Sequence, residues 1–369
     1  MKNVAIFFGG KSVEKDVSII TGVMTLNSID KSKYNPIPIY IDKLGVWFTG
    51  EELFDIDSYK SLNYKKLKRV TLVCGDNKLY ALKGKRTTLL CTISVAVNCI
   101  HGEGGEDGSL WGLLSMCNIP LASPSMLPSS ICMDKGFTKI ALKGLEVETL
   151  PAKVVTSVEE GFSAIEEIPF PVIVKPTKLG SSIGIQTAFN YEELKLAIFK
   201  GLRYGNSLLV EKYVKDFIEI NCAVYMSSSG KIITSECEKP LKTSSLLSFD
   251  DKYKCGGREF PANISKELSD KIKDTSKKVY EGMGFSGIIR IDYIVDGERV
   301  YLNEINSVPG SLAYYLFCDT LKDFSILLND IIRLAEQNFA IESTLIKDFG
   351  SSILRGMGSK GAKRLNKKQ

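Results

Sequence analysis

The chain has 369 residues, of which 44% are hydrophobic and 25% charged, a composition typical of a folded globular protein with room for more than one domain. It contains no run of 18 apolar residues, and its N-terminus lacks the long apolar segment of a secretory signal, so we expect a cytoplasmic protein without a membrane span. The net charge of +5 resides in the C-terminal tail, because the chain before residue 355 carries 42 bases against 43 acids, and a nucleic-acid-binding body is therefore not expected.

The first 130 residues alternate between apolar strands and helical segments. The run VAIFF (residues 4–8) predicts a buried strand that ends at a Gly-Gly pair, Ser12 offers a helix N-cap, and residues 13–29 have helical periodicity. The runs NPIPIYID and TTLLCTISVAVNCI predict further strands, whereas residues 43–88 look irregular, with a small hairpin insertion. This alternation predicts a Rossmann-like domain with a parallel sheet over residues 1–130.

After residue 130 short strands and helices follow in a different order. We predict a helix over ICMDKGFTKIALKGL and an amphipathic helix near residues 191–203 within a small central domain, residues 131–207. The strand pair GIIRIDYIV/RVYLNEIN and a last helix near residues 321–340 belong to a C-terminal domain. The predicted divisions after the central domain are a C-terminal domain at 208–345 with a polar lid at 239–259, and a basic, disordered tail at 346–369.

The segment PVIVKPTKLGSSIGI is a candidate phosphate-binding loop. Its strand ends at Lys175, and a turn with Gly180, Ser181, Ser182 and Gly184 leads into the next strand. Small residues let backbone N–H groups approach phosphate oxygens, and the lysine adds positive charge. An ordinary hairpin turn is the alternative interpretation.

The segment RIDYIVDGERVYLNEINSVPG is a candidate metal site. An Asp-Gly turn joins two strands, so Asp292 lies on one strand while Glu304 and Asn306 lie on the same face of the other. Carboxylate and amide oxygens suit Mg²⁺ bound together with substrate phosphates. The alternative is a polar strand face with solvated acids.

A third candidate is LLVEKYV, in which an apolar strand runs into Glu211 and a short linker. Such an acid can accept a hydrogen bond from the exocyclic amine of adenine. A surface glutamate is the alternative.

These three segments occur in an order that resembles the ATP-grasp superfamily and, within it, the D-alanine–D-alanine ligases. The resemblance covers residues 1–340 and rests on FFGGKSVEKDVS, HGEGGEDG, MDK, VKPTKLGSSIG, VEKYV, DDKYK and NEINSVPG. It implies an α/β chain, α+β overall, with the ATP-grasp fold: a Rossmann-like N-terminal domain, a small central domain and a C-terminal mixed-sheet domain.

The resemblance also implies a reaction. ATP phosphorylates the carboxylate of one D-alanine, and the amine of a second D-alanine attacks the acyl phosphate to give a dipeptide for bacterial peptidoglycan, ADP and phosphate. The implied cofactors are ATP and two Mg²⁺ ions, with Mn²⁺ as a possible substitute. The implied partners are small molecules and a second copy of the chain in a homodimer, with no nucleic acid and no membrane.

Residue by residue, the resemblance assigns roles to matching positions. The nucleotide side comprises phosphate lysines, adenine contacts including a backbone group, a ribose contact and a lid lysine: Lys135, Lys175, Glu211, Val214, Glu219 and Lys252. The Mg²⁺ ligands are Asp292, Glu304 and Asn306, and the oxyanion donors are Arg290 and the backbone N–H of Gly310.

On the substrate side, Glu14 matches the acid that pairs with the ammonium of the first D-alanine, and Ser181 and Tyr253 match its partners in a triad that closes the lid. An acid in the first turn of a helix also complements the helix dipole, which is the alternative for Glu14. His101 matches the histidine beside the substrate carboxylates and phosphate.

The chain departs from the family pattern after NEIN. Where the family usually has a serine that holds the second substrate's carboxylate, the segment SVPGSLAYYLF has Tyr315, with Ser311 nearby. This leaves three hypotheses open: a D-alanine–D-alanine ligase, a ligase that joins D-alanine to another acceptor such as D-serine or a D-hydroxy acid, and a non-catalytic nucleotide-binding regulator.

Overall fold

The computed structural model describes residues 1–180, 182–241 and 257–357. Three predicted site residues lie outside the described residues, namely Ser181, Lys252 and Tyr253, as do most of the predicted lid and the end of the basic tail. No helix within the described ranges is long and apolar enough to cross a lipid bilayer.

The N-terminal sheet is the largest in the described part of the chain. Its strands are β1 (Lys2–Gly9), β2 (Tyr34–Ile41), β3 (Trp47–Thr49), β4 (Lys68–Val73), β5 (Asp76–Lys83), β6 (Arg86–Thr92), β7 (Val95–Asn98) and β8 (Leu121–Ala122), in the spatial order β6-β5-β4-β3-β2-β1-β7-β8. Strands β2, β1, β7 and β8 are parallel, as predicted from the alternation, and helix α1 (Lys15–Ser28) connects β1 to β2.

The prediction for residues 43–88 was wrong in part. Instead of an irregular stretch with a small hairpin, this region contributes β3, β4, β5 and the start of β6, which continue the sheet beyond β2 as antiparallel strands. Most side chains of β5 and β6 are only partly buried or exposed. A weakly buried strand has little hydrophobic alternation, so the sequence gives a weak strand signal there.

Two further sheets form the rest of the molecule. The central sheet contains β9 (Ala152–Val155), β10 (Val172–Pro176), β11 (Gln186–Ala188) and β12 (Leu208–Lys212), and the C-terminal sheet contains β13 (Ile218–Met226), β14 (Ile232–Thr234), β17 (Ile288–Asp296) and β18 (Arg299–Asn306). Strands β15 (Lys239–Pro240) and β16 (Arg258–Glu259) pair with each other at the two ends of the range that is not described.

The remaining helices pack on these sheets: α2 (Ser109–Met116), α3 (Met126–Met133), α4 (Lys135–Gly144), α5 (Val158–Glu167), α6 (Tyr191–Gly201), α7 (Lys266–Gly282) and α8 (Leu321–Ser343). The single helix predicted over residues 131–145 is in fact divided between α3 and α4. Asp134 is extended at the break, and its carboxylate accepts hydrogen bonds from the N–H groups of Gly136 and Phe137, which caps α4.

Helix α8 belongs to a core cluster that contains residues of both the N-terminal and the C-terminal sheet. Phe324, Leu328 and Ile332 of this helix are fully or almost fully buried in a cluster with Val97 of the N-terminal sheet and Ile288 of the C-terminal sheet. Burial of such side chains typically contributes about 1.5–3 kcal/mol each. This cluster connects the N-terminal sheet to the C-terminal sheet.

Candidate active site

The loop after β7 is held by its own acidic residues. Oε1 of Glu106 accepts a hydrogen bond from the N–H of Gly102, and Oδ2 of Asp107 accepts one from the N–H of Gly104. These two side chains therefore hold the glycine-rich turn in place. The loop places His101, which is 4% exposed, three residues beyond the end of β7.

His101 is joined to the segment that follows β18. The hydroxyl of Thr21, in α1, lies 2.9 Å from Nε2 of His101, and it also accepts a hydrogen bond of 3.0 Å from the N–H of Ser311. On its other side, Nδ1 of His101 lies 3.7 Å from Oε1 of Glu106. The imidazole is thus oriented from both sides.

Glu14 immediately precedes α1, and this corrects the predicted position within the first turn. Ser12 is not the N-cap either: the helix begins at Lys15, and the Ser12 hydroxyl accepts a hydrogen bond from the N–H of Glu14. The carboxylate of Glu14 lies against two glycines, because a Cβ atom on Gly102 or Gly180 would come within 3.1 Å of its oxygens. Glu14 therefore meets both the His101 loop and the predicted phosphate loop.

The residues that the sequence assigned to a nucleotide are organised around a buried carboxylate. Glu211 is 2% exposed, Nζ of Lys175 lies 2.6 Å from its Oε2, and Nζ of Lys139 lies 2.7 Å from its Oε1. Burial alone would raise the pKa of Glu211, but the two ammonium groups outweigh it and hold that pKa below its usual value. For Lys139 the effect of burial has the opposite sign, because burial disfavours the charged ammonium. It lowers the pKa of Lys139, although the negative charge of Glu211 acts to raise it.

The predicted phosphate loop contacts the start of α4. Nζ of Lys135 donates a 2.6 Å hydrogen bond to the carbonyl of Leu179, just before Gly180. Ser182 has a φ of +59°, in the left-handed region, where a turn stores strain. Lys135 and the glycine loop thus line the same side of the site, in the cavities described below.

The β17–β18 hairpin forms as predicted, but its turn lies one residue later than the predicted Asp-Gly pair, and a bulge between Asp292 and Tyr293 shifts the register of the strands. Asp292 lies directly opposite Glu304, and Arg290 lies opposite Asn306. Strand pairing continues to Asp296 and Arg299, so the turn residues are Gly297, with a φ of +58°, and Glu298.

Arg290 and Asp292 form a bidentate ion pair. Nε and Nη2 of Arg290 donate hydrogen bonds of 2.7 and 2.8 Å to the two oxygens of Asp292, and Nδ2 of Asn306 donates to Oδ2 of Asp292 at 3.1 Å. Burial opposes the positive charge, but the neighbouring carboxylate raises the pKa of Arg290. The hairpin therefore presents two carboxylates and an amide beside a permanent cation, an oxygen-donor set that suits Mg²⁺. In the part of the chain that the structure describes, no group of three or more His, Cys, Asp or Glu residues is arranged to hold a metal ion by itself.

The segment after β18 forms a left-handed turn. Ser311, Leu312 and Ala313 have φ values of 52°, 50° and 49°. This conformation costs roughly 1–2 kcal/mol per non-glycine residue, and tertiary contacts must hold it. The turn directs Tyr315 towards the hairpin, where Nη1 of Arg290 donates a 3.3 Å hydrogen bond to the phenol oxygen. Burial raises the pKa of Tyr315, so the phenol stays neutral at physiological pH.

All the predicted site residues within the described ranges line one of two adjoining cavities. The larger, of about 470 Å³, is lined by Glu14, His101, Lys135, Glu219, Arg290, Asp292, Glu304, Asn306, Gly310, Ser311 and Tyr315. The smaller, of about 90 Å³, adds Lys175, Ser182, Glu211 and Val214, and the two share Lys135, Glu219, Asp292 and Glu304.

Sequence reasoning missed several residues of this site, among them Thr21, Lys139 and Arg258. Lys139 follows Lys135 by four residues on α4, and this helical spacing is a signal that could have revealed a second lysine on the same face. Thr21 carries no such signal, since a threonine in a buried helix is unremarkable in sequence. Arg258 lies within the predicted lid but outside its DDKYK motif, so no role was assigned to it.

Comparison with known proteins follows the same division of the chain. A family model described as D-ala D-ala ligase N-terminus matches residues 3–124, and one described as D-ala D-ala ligase C-terminus matches residues 140–334. A curated D-alanine–D-alanine ligase of Thermosipho melanesiensis is 37% identical over 92% of this chain and 95% of its own. A curated D-alanine–D-alanine ligase of Clostridium acetobutylicum is 34% identical over 90% of this chain and 98% of its own.

Solved structures give the same result for the fold. The D-alanine–D-alanine ligase of Helicobacter pylori has a TM-score of 0.73 and 27% identity, covering 91% of this chain and 98% of its own. The ligase of Coxiella burnetii has a TM-score of 0.80 and 22% identity, covering 94% and 97%. The predicted α/β architecture is confirmed.

Proposed function

The chain belongs to the D-alanine–D-alanine ligase family, and we propose that it is an ATP-dependent ligase that joins two D-alanines through a D-alanyl phosphate. The observation that carries this proposal is the pair of adjoining cavities, whose shared wall holds Lys135, Asp292 and Glu304. A nucleotide in the smaller cavity would direct its phosphates towards an amino acid in the larger one.

The donor end of the larger cavity suits an amino acid. Glu14 supplies a negative charge for the ammonium of the first D-alanine, and His101 is held beside it by Thr21 and Glu106. The donor carboxylate then faces Lys135 and the glycine loop. An oxygen of this carboxylate attacks the γ-phosphorus of ATP, and ADP leaves.

The second step forms the peptide bond. The amine of the second D-alanine, after loss of its proton, attacks the acyl carbon, and phosphate leaves with the electron pair of the broken C–O bond. Arg290 and the N–H of Gly310 line the cavity where the oxyanion forms, and one such donor is typically worth about 3 kcal/mol.

Asp292, Glu304 and Asn306 fit a divalent cation, because they bring oxygen donors together at one hairpin. We propose that they hold Mg²⁺, which supplies charge neutralisation for the phosphates, and that Mn²⁺ can replace it. The adenine contacts of Glu211 and Val214, the ribose contact of Glu219 and a lid formed by residues 239–259 belong to the same proposal.

The product suits bacterial peptidoglycan synthesis, and we propose a cytoplasmic homodimer as the working form. We also propose that the chain is divided into an N-terminal, a central and a C-terminal domain and a tail, with boundaries after residues 130, 207 and 345. Light scattering coupled to size-exclusion chromatography measures the oligomeric state directly, and a monomer at micromolar concentration would contradict the dimer.

The test of the activity is ADP release with ATP, Mg²⁺ and a panel of D- and L-amino acids and D-hydroxy acids, with mass identification of products. We expect D-alanine-dependent ADP release and a D-alanyl-D-alanine product. ATP binding without amino-acid-dependent ADP release would instead favour the non-catalytic regulator.

A second candidate function follows from Tyr315. Because a buried tyrosine lines the cavity where the family usually has a serine, this candidate function is a ligase for which D-alanine is only one of the acceptors that fit. A D-serine or D-hydroxy acid product in excess of D-alanyl-D-alanine, at equal acceptor concentrations, would favour this candidate.

A further inference from the structure

Arg258 lies on the wall of the larger cavity next to Tyr315. It is the first residue of β16, and its side chain is 41% exposed. The guanidinium carbon is 4.8 Å from the centre of the Tyr315 ring, and Nη1 donates a 3.2 Å hydrogen bond to the Tyr315 carbonyl. A guanidinium above an aromatic face at this distance forms a cation–π contact.

Tyr315 therefore lies between two arginines. Its phenol oxygen accepts from Arg290, and its ring supports Arg258. The hydroxyl is used within the protein, so the tyrosine is poorly placed to replace the family serine as the group that holds a substrate carboxylate. It holds a second cation at the cavity instead.

The two arginines differ in how firmly they are engaged. Arg290 is buried and bound in a bidentate pair by Asp292 at 2.7 and 2.8 Å. Arg258 approaches Glu238 to 3.5 Å through Nη1, and its guanidinium carbon lies 5.2 Å from the centre of the Phe260 ring, but no bidentate ion pair holds it among the described residues. A guanidinium has a planar fork of donors that matches a carboxylate, and the less constrained of the two is the one that can turn towards a ligand.

We propose that Arg258 binds the carboxylate of the second substrate. This inference rests on the proposed ligase function and deepens it by naming the group that recognises the acceptor. The acceptor is then a small molecule with a nucleophilic amine or hydroxyl directed to the acyl carbon and a free carboxylate directed to Arg258. In this chain the acceptor carboxylate is then bound by Arg258, whose guanidinium packs on the ring of Tyr315, and not by the serine that is usual in the family.

The experiment offers two acceptors that differ in the carboxylate alone. D-alaninamide lacks a carboxylate, so it cannot be phosphorylated and can act only as acceptor. With D-alanine as donor, mass spectrometry measures the ratio of D-alanyl-D-alanine to D-alanyl-D-alaninamide. In Arg258→Ala we expect this ratio, and the kcat/KM for D-alanine as acceptor, to fall at least tenfold, with a smaller fall in Arg258→Lys.

Lys277→Ala is the matched control. Lys277 lies on α7, pairs with Asp274 at a distance of 3.2 Å, and is neither part of the proposed lid nor among the residues that line the cavity. Its replacement removes a cation away from the site and should leave the ratio within twofold of that of the original chain. The donor half is followed by hydroxylamine, which attacks the acyl carbon of D-alanyl phosphate, releases phosphate and gives a hydroxamate.

The outcomes separate this inference from the ligase function. Hydroxamate formation in Arg258→Ala close to that of the unaltered chain, with a lower product ratio, supports the inference. A ratio within twofold of the unaltered chain, or an equal loss of both dipeptides, overturns it, because Arg258 then acts on something other than the carboxylate. Absence of D-alanine-dependent ADP release in the unaltered chain would contradict the proposed function itself.

Discussion

Lys175 and Glu211 form a buried ion pair, with Nζ 2.6 Å from Oε2, on neighbouring antiparallel strands. Lys139 approaches the other oxygen to 2.7 Å from α4, so a single carboxylate balances two ammonium groups. Removal of one member of a buried ion pair leaves an uncompensated charge, which typically costs about 3–5 kcal/mol. The nucleotide side of the site is therefore coupled to the stability of the central sheet.

Glu211→Gln should destabilise the protein and weaken nucleotide binding together. We expect the free energy of unfolding at pH 7 to fall by about 3 kcal/mol or more, because both lysines lose their counter-charge. Denaturant unfolding gives the first quantity and ATP titration the second. Lys153→Ala, which removes an exposed lysine and its contact with Glu167, is the control and should change little.

The destabilisation caused by Glu211→Gln should depend on pH. The folded-state pKa of Glu211 lies below the ordinary value of 4.5, so the carboxylate contributes stability that is present above pH 4.5 and lost as the pH falls through the folded pKa. The difference in unfolding free energy between the unaltered chain and Glu211→Gln should therefore shrink on acidification below pH 4.5. A difference that stays constant, or grows, in this range would contradict the depressed pKa.

Glu304→Gln tests the proposed metal ligands. Since Glu304 lies opposite Asp292, its replacement removes a negative charge that would hold Mg²⁺, and we expect most of the activity and the Mg²⁺-dependence of ATP binding to be lost while the fold is kept. Glu298→Gln, in the exposed turn of the same hairpin, is the matched control. Activity of Glu304→Gln within about threefold of the unaltered chain at saturating Mg²⁺ would exclude the ligand role.

Thr21→Val tests the connection between His101 and the turn at Ser311. The threonine hydroxyl touches both, so valine leaves a buried N–H and an imidazole nitrogen without this contact, at a cost of roughly 1–3 kcal/mol. We expect kcat to fall about tenfold or more, whereas Thr21→Ser, which keeps the hydroxyl, should retain most of it. Equal kinetics for the two variants would show that the hydroxyl does not orient the site.

The sequence predicted the parts of the site that depend on periodicity and turn chemistry. The Asp-Gly dipeptide and the strand alternation predict that Asp292 and Glu304 lie on paired strands. They face each other directly because a bulge between Asp292 and Tyr293 shifts the register by one residue, and no feature of the sequence marks that bulge. The left-handed turn at Ser311 could not be predicted: a Pro-Gly pair precedes it, but the three residues with positive φ are serine, leucine and alanine, which rarely adopt that conformation. The contact of Arg258 with Tyr315, across 57 residues, likewise depends on how β16 lies against the turn.

Gly180→Ala should weaken donor binding. A methyl group there would meet Oε1 of Glu14 at 3.1 Å, a contact closer than the carboxylate tolerates in its present place. We expect the KM for D-alanine as donor to rise several-fold with a smaller change in the KM for ATP. Gly144→Ala, where a Cβ atom meets nothing within 4 Å, is the control. A donor KM unchanged in Gly180→Ala would show that Glu14 can move without loss, which argues against its pairing with the ammonium.

Tyr315 can be separated into its hydroxyl and its ring by two substitutions. Tyr315→Phe removes the acceptor of the Arg290 hydrogen bond and keeps the ring beneath Arg258, so we expect a lower kcat with little change in the choice of acceptor. Tyr315→Ser removes the ring as well, which releases Arg258 and restores the residue usual in the family. The kcat/KM ratio between D-alanine and competing acceptors should then shift by roughly 1–3 kcal/mol, while the donor KM changes little. The measurement is product analysis with mixed acceptors at equal concentration. An acceptor profile that is the same in the unaltered chain, Tyr315→Phe and Tyr315→Ser would show that this tyrosine does not shape the second subsite, because neither its hydroxyl nor its ring would then affect what the cavity accepts.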